Sequence, residues 1–368
     1  MAALIWFIII LTPIVFIHEL GHFVFARLFG VKVDVFSIGF GKTLFKWKDS
    51  KDTTWQVALI PLGGYVKMHG DDNAASVPDE TKLQSFDEDE KKLSLHHKKL
   101  WQKSLIVFGG PLANYLLAIV LFIGVALYSG KQEVTLEITG IQNESPAQKS
   151  GLEVGDVIVE FNDQAVDSMF DLKSKLMLNT EEEIKLGYIR GDSYMTVNVV
   201  PDFIDIVDIG GNQRKQAILG VIFGKFIYSK IGVLESIKYS VQQVFDMSCN
   251  MLLGIWQMIT GQRNTDDLGG PIKIAKYSAA FAEQGVLAVL LFMAIISLNL
   301  GLVNLLPIPM LDGGHLFLYA LEGIMRKPLN YKIQNMIFKI GMALLIALML
   351  MAFWNDLKGI EFLRNLFN

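Results

Sequence analysis

The sequence predicts an α-helical polytopic membrane protein with four transmembrane helices, a membrane-associated β-hairpin or sheet, and one extracytoplasmic α+β domain. Three observations predict this class. Of the 368 residues, 52% are hydrophobic and 19% are charged, which is too apolar for an ordinary soluble protein. Four separate apolar stretches are each long enough to cross about 30 Å of hydrocarbon. Two of the segments between them show the residue patterns of strands.

The apolar stretches divide the chain into regions. We expect transmembrane helices at 1–30, 104–128, 285–320 and 334–356, a hairpin region at 31–70, a cytoplasmic polar loop at 71–103, an α+β domain at 131–228, and amphipathic interfacial helices at 229–284. The first stretch could instead be a signal peptide. It has no Lys or Arg before Arg27 and no small-residue cleavage site, so we interpret it as a retained helix.

Basic residues next to the spans predict the orientation. They follow the first span, precede the second and lie between the third and fourth, and they are Arg27, Lys32, Lys98, Lys99, Lys103, Arg326, Lys327 and Lys332. The positive-inside rule places these groups in the cytoplasm. Both termini and the segment 131–285 are then expected on the extracytoplasmic side.

The first span contains the sequence His18-Glu19-Leu20-Gly21-His22. Histidines four residues apart lie on one face of a helix, and together they can bind zinc while Glu19 accepts a proton from the attacking water. A chance match on a soluble helix is the alternative, but the apolar flanks disfavour it. A charged carboxylate at the centre of a membrane helix costs about 2.5–3.5 kcal/mol, so it rarely persists without a role. The motif therefore predicts hydrolysis within a membrane.

A catalytic zinc usually has three protein ligands and one open position, so a third ligand is expected elsewhere in the chain. Asp312 follows the third apolar span directly. Pro307 and Pro309 should end that helix, and the glycine pair after Asp312 allows a tight turn that returns the carboxylate to the histidines. His315 is the competing ligand, and the residues alone leave both possible.

The region 31–70 is rich in strand formers. Residues 33–38 alternate polar and apolar side chains, residues 54–60 are β-branched and aromatic, and glycines interrupt the pattern at Gly39 and Gly41. A hairpin that dips toward the bilayer and a small cytoplasmic sheet fit this pattern equally well. The acidic segment 71–92 predicts a solvated loop. We interpret His96 and His97, which lie next to two lysines, as an interfacial basic anchor rather than as metal ligands.

The segment 131–228 begins with a strand-like stretch at 134–138. A short helix ending at Gly151, a Gly155-Asp156 turn and a strand follow, then a helical stretch at 171–178 and strands at 183–189 and 195–200. The string S-P-A-x-x-x-G-L-x-x-G-D-x-I resembles a PDZ domain, a module that binds extended peptide ends by β-augmentation. Since Cys249 is the single cysteine, no internal disulfide can stabilise this segment.

The segment 235–260 has an amphipathic helical pattern, which we assign to the outer membrane surface. A fifth transmembrane helix is the alternative, but it would upset the orientation given by the basic residues.

Five motifs occur along the chain, and they carry a family resemblance. They are H-E-x-x-H at 18–22, F-S-I-G-F-G at 36–41, I-P-L-G-G-Y-V-K-M at 60–68, G-P-x-x-N at 110–114, and N-x-x-P-x-P-x-L-D-G at 304–313. In these motifs the chain closely resembles the site-2 protease family of intramembrane zinc metalloproteases, and within it the bacterial RseP type. One departure is that the RseP type carries tandem PDZ modules, whereas this chain shows one.

The resemblance implies a Zn²⁺ ion held by His18, His22 and Asp312, with Glu19 as general base. It implies that the 31–68 strands form a membrane-dipping hairpin that pairs with unwound substrate. The residues expected to contact substrate are Asn304, Pro307, Pro309, Gly39 and Gly41.

The implied function is an intramembrane metalloendopeptidase that cleaves single-pass transmembrane proteins in regulated intramembrane proteolysis, such as a membrane-bound anti-sigma factor or signal-peptide remnants. The expected location is the plasma (inner) membrane. The expected partners are transmembrane substrates, the lipid bilayer and peptide ends at the PDZ-like domain, and no nucleic acid. A non-catalytic receptor with a structural metal is an alternative, but it would normally need four ligands. A membrane zincin with a cytoplasmic site is another, and it would normally take its third ligand from a glutamate on a following helix.

Overall fold

The computed structural model describes residues 2–71, 80–134, 136–166, 172, 175–176, 183–207, 213–224, 226–261 and 270–358. The chain forms two compact units. The first comprises Met1–Val125, Ser240–Gly254 and Asn264–Asn368, and the second comprises Ala126–Tyr239 and Ile255–Arg263.

Helices dominate the first unit. In chain order, the described α-helices of both units are α1 (Ala2–Leu28), α2 (Glu80–Ser85), α3 (Glu88–Leu93), α4 (Leu100–Ser129), α5 (Pro146–Lys149), α6 (Val233–Ile259), α7 (Pro271–Glu283), α8 (Val286–Leu305), α9 (Asp312–Met325) and α10 (Tyr331–Lys358). Four of them are long and apolar enough to cross a membrane: α1, α4, α8 and residues Ile333–Leu357 of α10. Each predicted span overlaps one of these helices.

The helices α1 and α4 cross at a pair of glycines. A Cβ atom built on Gly21 would lie 2.1 Å from the carbonyl oxygen of Gly109, and one built on Gly109 would lie 2.7 Å from the carbonyl oxygen of Gly21. Only glycine allows two backbones to approach so closely. The crossing brings the H-E-x-x-H segment of α1 directly against α4.

A sheet of two long strands, β1 (Val33–Lys48) and β2 (Thr54–Met68), packs beside this crossing. The strands pair antiparallel but bend strongly, so that Phe36 pairs with both Val66 and Trp55. The bend follows Gly39 and Gly41, whose φ angles of 89° and 86° favour glycine. As a result, residues 64–68 pair only with the first part of β1 and form an outer edge within the described part of the sheet.

The core of the sheet is aromatic and joins it to α1. The fully buried ring of Phe36 stacks on Trp55 at a centroid distance of 4.3 Å and meets Phe16 and Phe23 of α1 edge-on. Such aromatic pairs contribute about 0.5–1.5 kcal/mol beyond their buried area. The sheet is therefore fixed to the helix that carries the two histidines.

The segment predicted as a polar loop differs from that expectation. It contains the short helices α2 and α3, because Asp87 accepts hydrogen bonds from the N–H groups of Asp89 and Glu90 while the Glu90 side chain accepts from the Asp87 N–H. Asp71 is buried, and its carboxylate lies 2.8 Å from Nε2 of His96. His96 thus makes an internal contact with Asp71, whereas we predicted an interfacial anchor.

The second unit is built from short strands. They are β3 (Lys131–Val134), β4 (Ile138–Ile141), β5 (Val157–Phe161), β6 (Gln164–Ala165), β7 (Ile184–Arg190), β8 (Ser193–Val199), β9 (Asp202–Val207), β10 (Gln213–Ile218), β11 (Val221–Phe223) and β12 (Phe226–Ser229). The main sheet has the order β6-β5-β7-β8, and further pairs join β3 to β12, β4 to β11 and β9 to β10. The stretch predicted as one strand at 134–138 coincides with strand residues at both ends, since β3 ends at Val134 and β4 begins at Ile138, while residue 135 lies outside the described residues. The helix predicted at 171–178 lies mostly outside the described residues.

An apolar core and one ionic cluster stabilise the second unit. Ile138, Ile158 and Ile184 are fully buried at the centre of the core. Arg190 donates two hydrogen bonds to the carboxylate of Asp156, at 2.7 and 2.8 Å. Charge-assisted hydrogen bonds are about twice as strong as neutral ones, and a bidentate pair adds geometric specificity.

Candidate metal centre

Helix α1 places three polar side chains in an apolar interior. His18, Glu19 and His22 are 7%, 8% and 9% exposed. The two imidazoles stand one helical turn apart with ring centroids 4.9 Å apart, and their Nε2 atoms approach to 3.3 Å. Two buried nitrogen donors are therefore directed at one point.

The carboxylate of Asp312, at the start of α9, lies beside the two imidazoles. Its oxygens lie 3.3 Å from Nε2 of His18 and 3.4 Å from Nε2 of His22. All three candidate ligand atoms lie within 4.8 Å of one another.

The local sequence explains how Asp312 reaches this place. Helix α8 ends at Leu305, ahead of the two prolines, and Asp312 begins the new helix α9. We predicted a tight turn at Gly313 and Gly314, but both lie in the first turn of α9. The two glycines instead allow the start of α9 to pack closely against the preceding backbone, since a Cβ atom on Gly313 would lie 2.2 Å from the carbonyl oxygen of Leu305.

Helix α4 supplies partners for the far sides of both imidazoles. Nδ1 of His22 lies 3.0 Å from the backbone carbonyl oxygen of Ile106, to which it can donate a hydrogen bond. Nδ1 of His18 lies 3.2 Å from the side-chain amide of Asn114. Metal-ligating histidines almost always make such a contact through the second ring nitrogen.

Two further glycines lie against the site. A Cβ atom on Gly110 of α4 would lie 2.3 Å from Nε2 of His22, and one on Gly64 of β2 would lie 2.9 Å from Cγ of Glu19. The site is therefore closed on these two sides by bare backbone.

A cavity of about 350 Å³ opens beside these groups. It is lined by Val15, His18, Glu19, His22, Phe40, Gly63, Gly64, Tyr65, Val66, Met68, Val107, Leu300, Asn304, Met310, Leu311, Asp312 and His315. One wall is thus the outer edge of β2, and another is the irregular segment between α8 and α9.

The structure brings together five of the residues singled out in the sequence: His18, Glu19, His22, Asp312 and Asn304. Nδ2 of Asn304 lies 3.3 Å from Nε2 of His18. His315, the competing ligand, lines the cavity but is outside the cluster of three candidate ligands.

The other residues predicted to contact substrate are not part of the cavity lining. Among the described residues, the cavity lining does not include Gly39, Gly41, Pro307 or Pro309. Gly39 instead shapes the bend of β1, where a Cβ atom would lie 2.7 Å from the carbonyl oxygen of Ile60.

Sequence reasoning gave no role to three residues that touch the site: Gly64, Gly110 and Asn114. All three belong to motifs quoted above. Asn114 also carried a physical signal, because an amide in the middle of an apolar stretch without charged residues, 104–128, needs a polar partner once it is buried.

The donor set fits zinc. Two imidazole nitrogens and one carboxylate oxygen form one of the standard three-ligand sets of catalytic zinc sites, which keep the fourth position open. The contact between Nδ1 of His22 and the Ile106 carbonyl supports this fit, because it leaves the Nε2 lone pair free to bind a metal.

Comparison with known proteins gives a consistent result. The model of peptidase family M50 matches residues 6–348. The chain is 40% identical over 363 residues to a protein of Rickettsia conorii named as a candidate zinc metalloprotease, covering 98% of this chain and 99% of that one. It is 33% identical to metalloprotease MmpA of Caulobacter vibrioides, covering 96% and 95% of the two chains.

Part of the chain is also similar to a solved structure, the PDZ domain of an SdrC-like protein from Listeria monocytogenes. The identity is 18% and the TM-score is 0.19, with 25% of this chain and 86% of that chain covered.

Proposed function

The chain belongs to peptidase family M50, the site-2 protease family, and is a zinc-dependent protease; on this premise we propose that it cleaves single-pass transmembrane proteins inside the membrane. The observation that carries the proposal is the buried cluster of His18, His22 and Asp312 with Glu19 beside it, set between helices long enough to cross a membrane.

In this proposal His18, His22 and Asp312 hold the metal. When bound, zinc supplies a Lewis acid that favours deprotonation of water and polarises the scissile carbonyl. The three residues come from two separate helices, and their approach depends on the break between α8 and α9.

Glu19 is the general base. It is 8% exposed and lies within the cavity lining beside both histidines. A carboxylate in this place can accept the proton of the attacking water and return it to the leaving amine. Gly64 packs against Cγ of Glu19 and limits the positions its side chain can take.

The substrate must unwind before it is cut, because amides inside a helix are already hydrogen-bonded to one another. The outer edge of β2 at residues 64–68 lines the cavity. An unwound segment can pair with this edge, which satisfies its freed backbone groups. Asn304, with its amide beside His18, is placed to donate a hydrogen bond to the scissile carbonyl.

The basic residues next to the apolar helices support an orientation in the plasma membrane with the metal site toward the cytoplasm. The second unit, which carries the PDZ-like sequence string, is then extracytoplasmic and binds peptide ends. The overall role is regulated intramembrane proteolysis, with a membrane-bound anti-sigma factor or a signal-peptide remnant as the kind of substrate.

Two variants of the full-length protein in detergent test the proposal. Glu19→Gln should retain zinc and lose cleavage of a tagged single-pass substrate, because the ligands remain and the base is removed. His22→Ala should lose both zinc and cleavage. Wild-type cleavage by Glu19→Gln would refute the mechanism, and zinc retention by His22→Ala would refute the ligand set. The inactive Glu19→Gln protein also serves as a trap, since crosslinking can identify what it holds.

A further inference from the structure

Asn114 is a buried polar residue with an unusual imbalance of contacts. It lies in the middle of α4 with no exposed surface. Its Nδ2 atom lies 3.2 Å from Nδ1 of His18, while its Oδ1 atom is buried and has no hydrogen-bond partner among the described residues. A buried carbonyl oxygen without a partner costs about 1–3 kcal/mol. Such an atom is expected to have a use.

The chemistry of a histidine ligand suggests that use. A neutral imidazole that binds a metal through Nε2 carries its proton on Nδ1, and that N–H needs an acceptor. For His22 the acceptor is the carbonyl oxygen of Ile106. For His18 the neighbouring group is the amide of Asn114, whose NH₂ cannot accept a hydrogen bond but whose Oδ1 can.

We propose that Asn114 is a positioning residue whose Oδ1 accepts the hydrogen bond of His18 Nδ1–H and so presents Nε2 to zinc; this inference rests on the proposed function. It requires the amide to turn by 180° about its Cβ–Cγ bond, which exchanges the places of Oδ1 and Nδ2. The turn gives the unpaired oxygen a donor and gives the imidazole the tautomer that a ligand needs.

The backbone of Asn114 is held firmly enough for this role. Its carbonyl oxygen accepts a hydrogen bond of 2.9 Å from Oγ of the fully buried Ser297 on α8. Gly301, one turn further along α8, packs against it, since a Cβ atom there would lie 3.2 Å from Cβ of Asn114. The amide therefore has a fixed origin and one free rotation.

The competing interpretation is that the amide only fills space and donates to the imidazole. Two substitutions separate the possibilities. Asn114→Leu has a similar shape but no acceptor, and Asn114→Asp keeps an oxygen acceptor. Ser297→Ala is the matched control, because it removes a buried hydrogen bond at the same helix contact without changing the amide.

The experiment measures the zinc dissociation constant of the full-length protein in detergent by competition with a chelator. Asn114→Leu should raise the constant by about 10- to 100-fold, the usual effect of removing a partner of a metal-ligating histidine. Asn114→Asp should bind at least as tightly as wild type, and Ser297→Ala should bind like wild type. The visible spectrum of the Co²⁺-substituted protein should change in Asn114→Leu and be preserved in Asn114→Asp.

A second measurement needs no variant at position 114. In zinc-loaded wild-type protein labelled with ¹⁵N-histidine, the His18 resonance, assigned by its loss in His18→Ala, should show a protonated Nδ1. An unprotonated Nδ1, or a normal zinc constant in folded Asn114→Leu, would overturn the positioning role while leaving the proposed function intact. Failure of wild type to bind zinc would instead overturn the proposed function itself.

Discussion

Substituting Gly110 with alanine should disable the metal centre without unfolding the helix that carries the change. The new Cβ atom would lie 2.3 Å from Nε2 and 2.6 Å from Cε1 of His22, and 2.8 Å from Cε1 of His18. Real Cβ contacts essentially never fall below 3.0 Å, so the His22 ring must retreat by at least 0.7 Å, the difference between 3.0 and 2.3 Å. The contact between Nδ1 of His22 and the carbonyl oxygen of Ile106, which lies on α4 like Gly110, opposes that movement.

The magnitude follows from this displacement. A misplacement of about 1 Å in a catalytic group can lower the rate about 100-fold. We therefore expect kcat/KM for a tagged transmembrane substrate to fall by on the order of 100-fold, with a parallel loss of bound zinc. The assay combines cleavage in detergent, zinc content by mass spectrometry, and thermal unfolding.

The matched control is Gly124→Ala on the same helix, where a Cβ atom would meet nothing within 4 Å. Both substitutions replace glycine in a helix and gain about 1 kcal/mol of helix propensity, so altered propensity cannot explain a difference between them. Gly124→Ala should retain zinc and activity. Wild-type zinc content and cleavage in Gly110→Ala would show that the backbone of α4 does not limit the position of the imidazoles.

Three further outcomes can be checked. Gly64→Ala should lower cleavage while zinc is retained, because its Cβ atom would lie 2.8 Å from the carbonyl oxygen of Ser37 and 2.9 Å from Cγ of Glu19, and would displace the edge strand and the base rather than a metal ligand. Asp356→Ala should lower the free energy of unfolding by about 1–3 kcal/mol, because this buried carboxylate accepts hydrogen bonds from three backbone N–H groups at the start of α7. The melting temperature should fall accordingly, and an unchanged melting temperature would contradict this expectation. Burial raises the pKa of Asp156, but the hydrogen bonds from Arg190 lower that pKa by more than burial raises it. The pKa of Asp156 therefore lies below its usual value. The carboxylate therefore stabilises the second unit above about pH 4 and loses this effect as the pH falls further, so Asp156→Asn should flatten the acid-side decline in hydrogen-exchange protection of β5.

The apolar helices were predictable because composition alone determines where a chain can cross a membrane. The pairing of His18 with His22 was predictable because it is local and follows from helical periodicity. The closeness of Asp312 could be inferred from the helix-breaking prolines, but the glycine pair beside it lies in a helix rather than in the turn we expected. Metal ligation by these residues stays a prediction.

Other features depend on contacts that no local pattern encodes. The proximity of Gly110 to the imidazoles results from the crossing of α1 and α4, which a single sequence does not specify. The double pairing of Phe36 depends on how strongly β1 bends, and strand propensity contains no such information. The acidic residues from Asp87 onward suggested a solvated loop. Two of them, Asp87 and Glu90, instead form a capping box that begins α3.

The backbone contact between Gly21 and Gly109 has a consequence for how a substrate approaches. Where two helices touch without intervening side chains, no rotamer change can open a passage between them. The contact lies one residue before His22 and one before Gly110, at the level of the metal centre. Under the proposed function, a polypeptide arriving from the bilayer must therefore pass on another side of the site, because the contact between α1 and α4 stays closed.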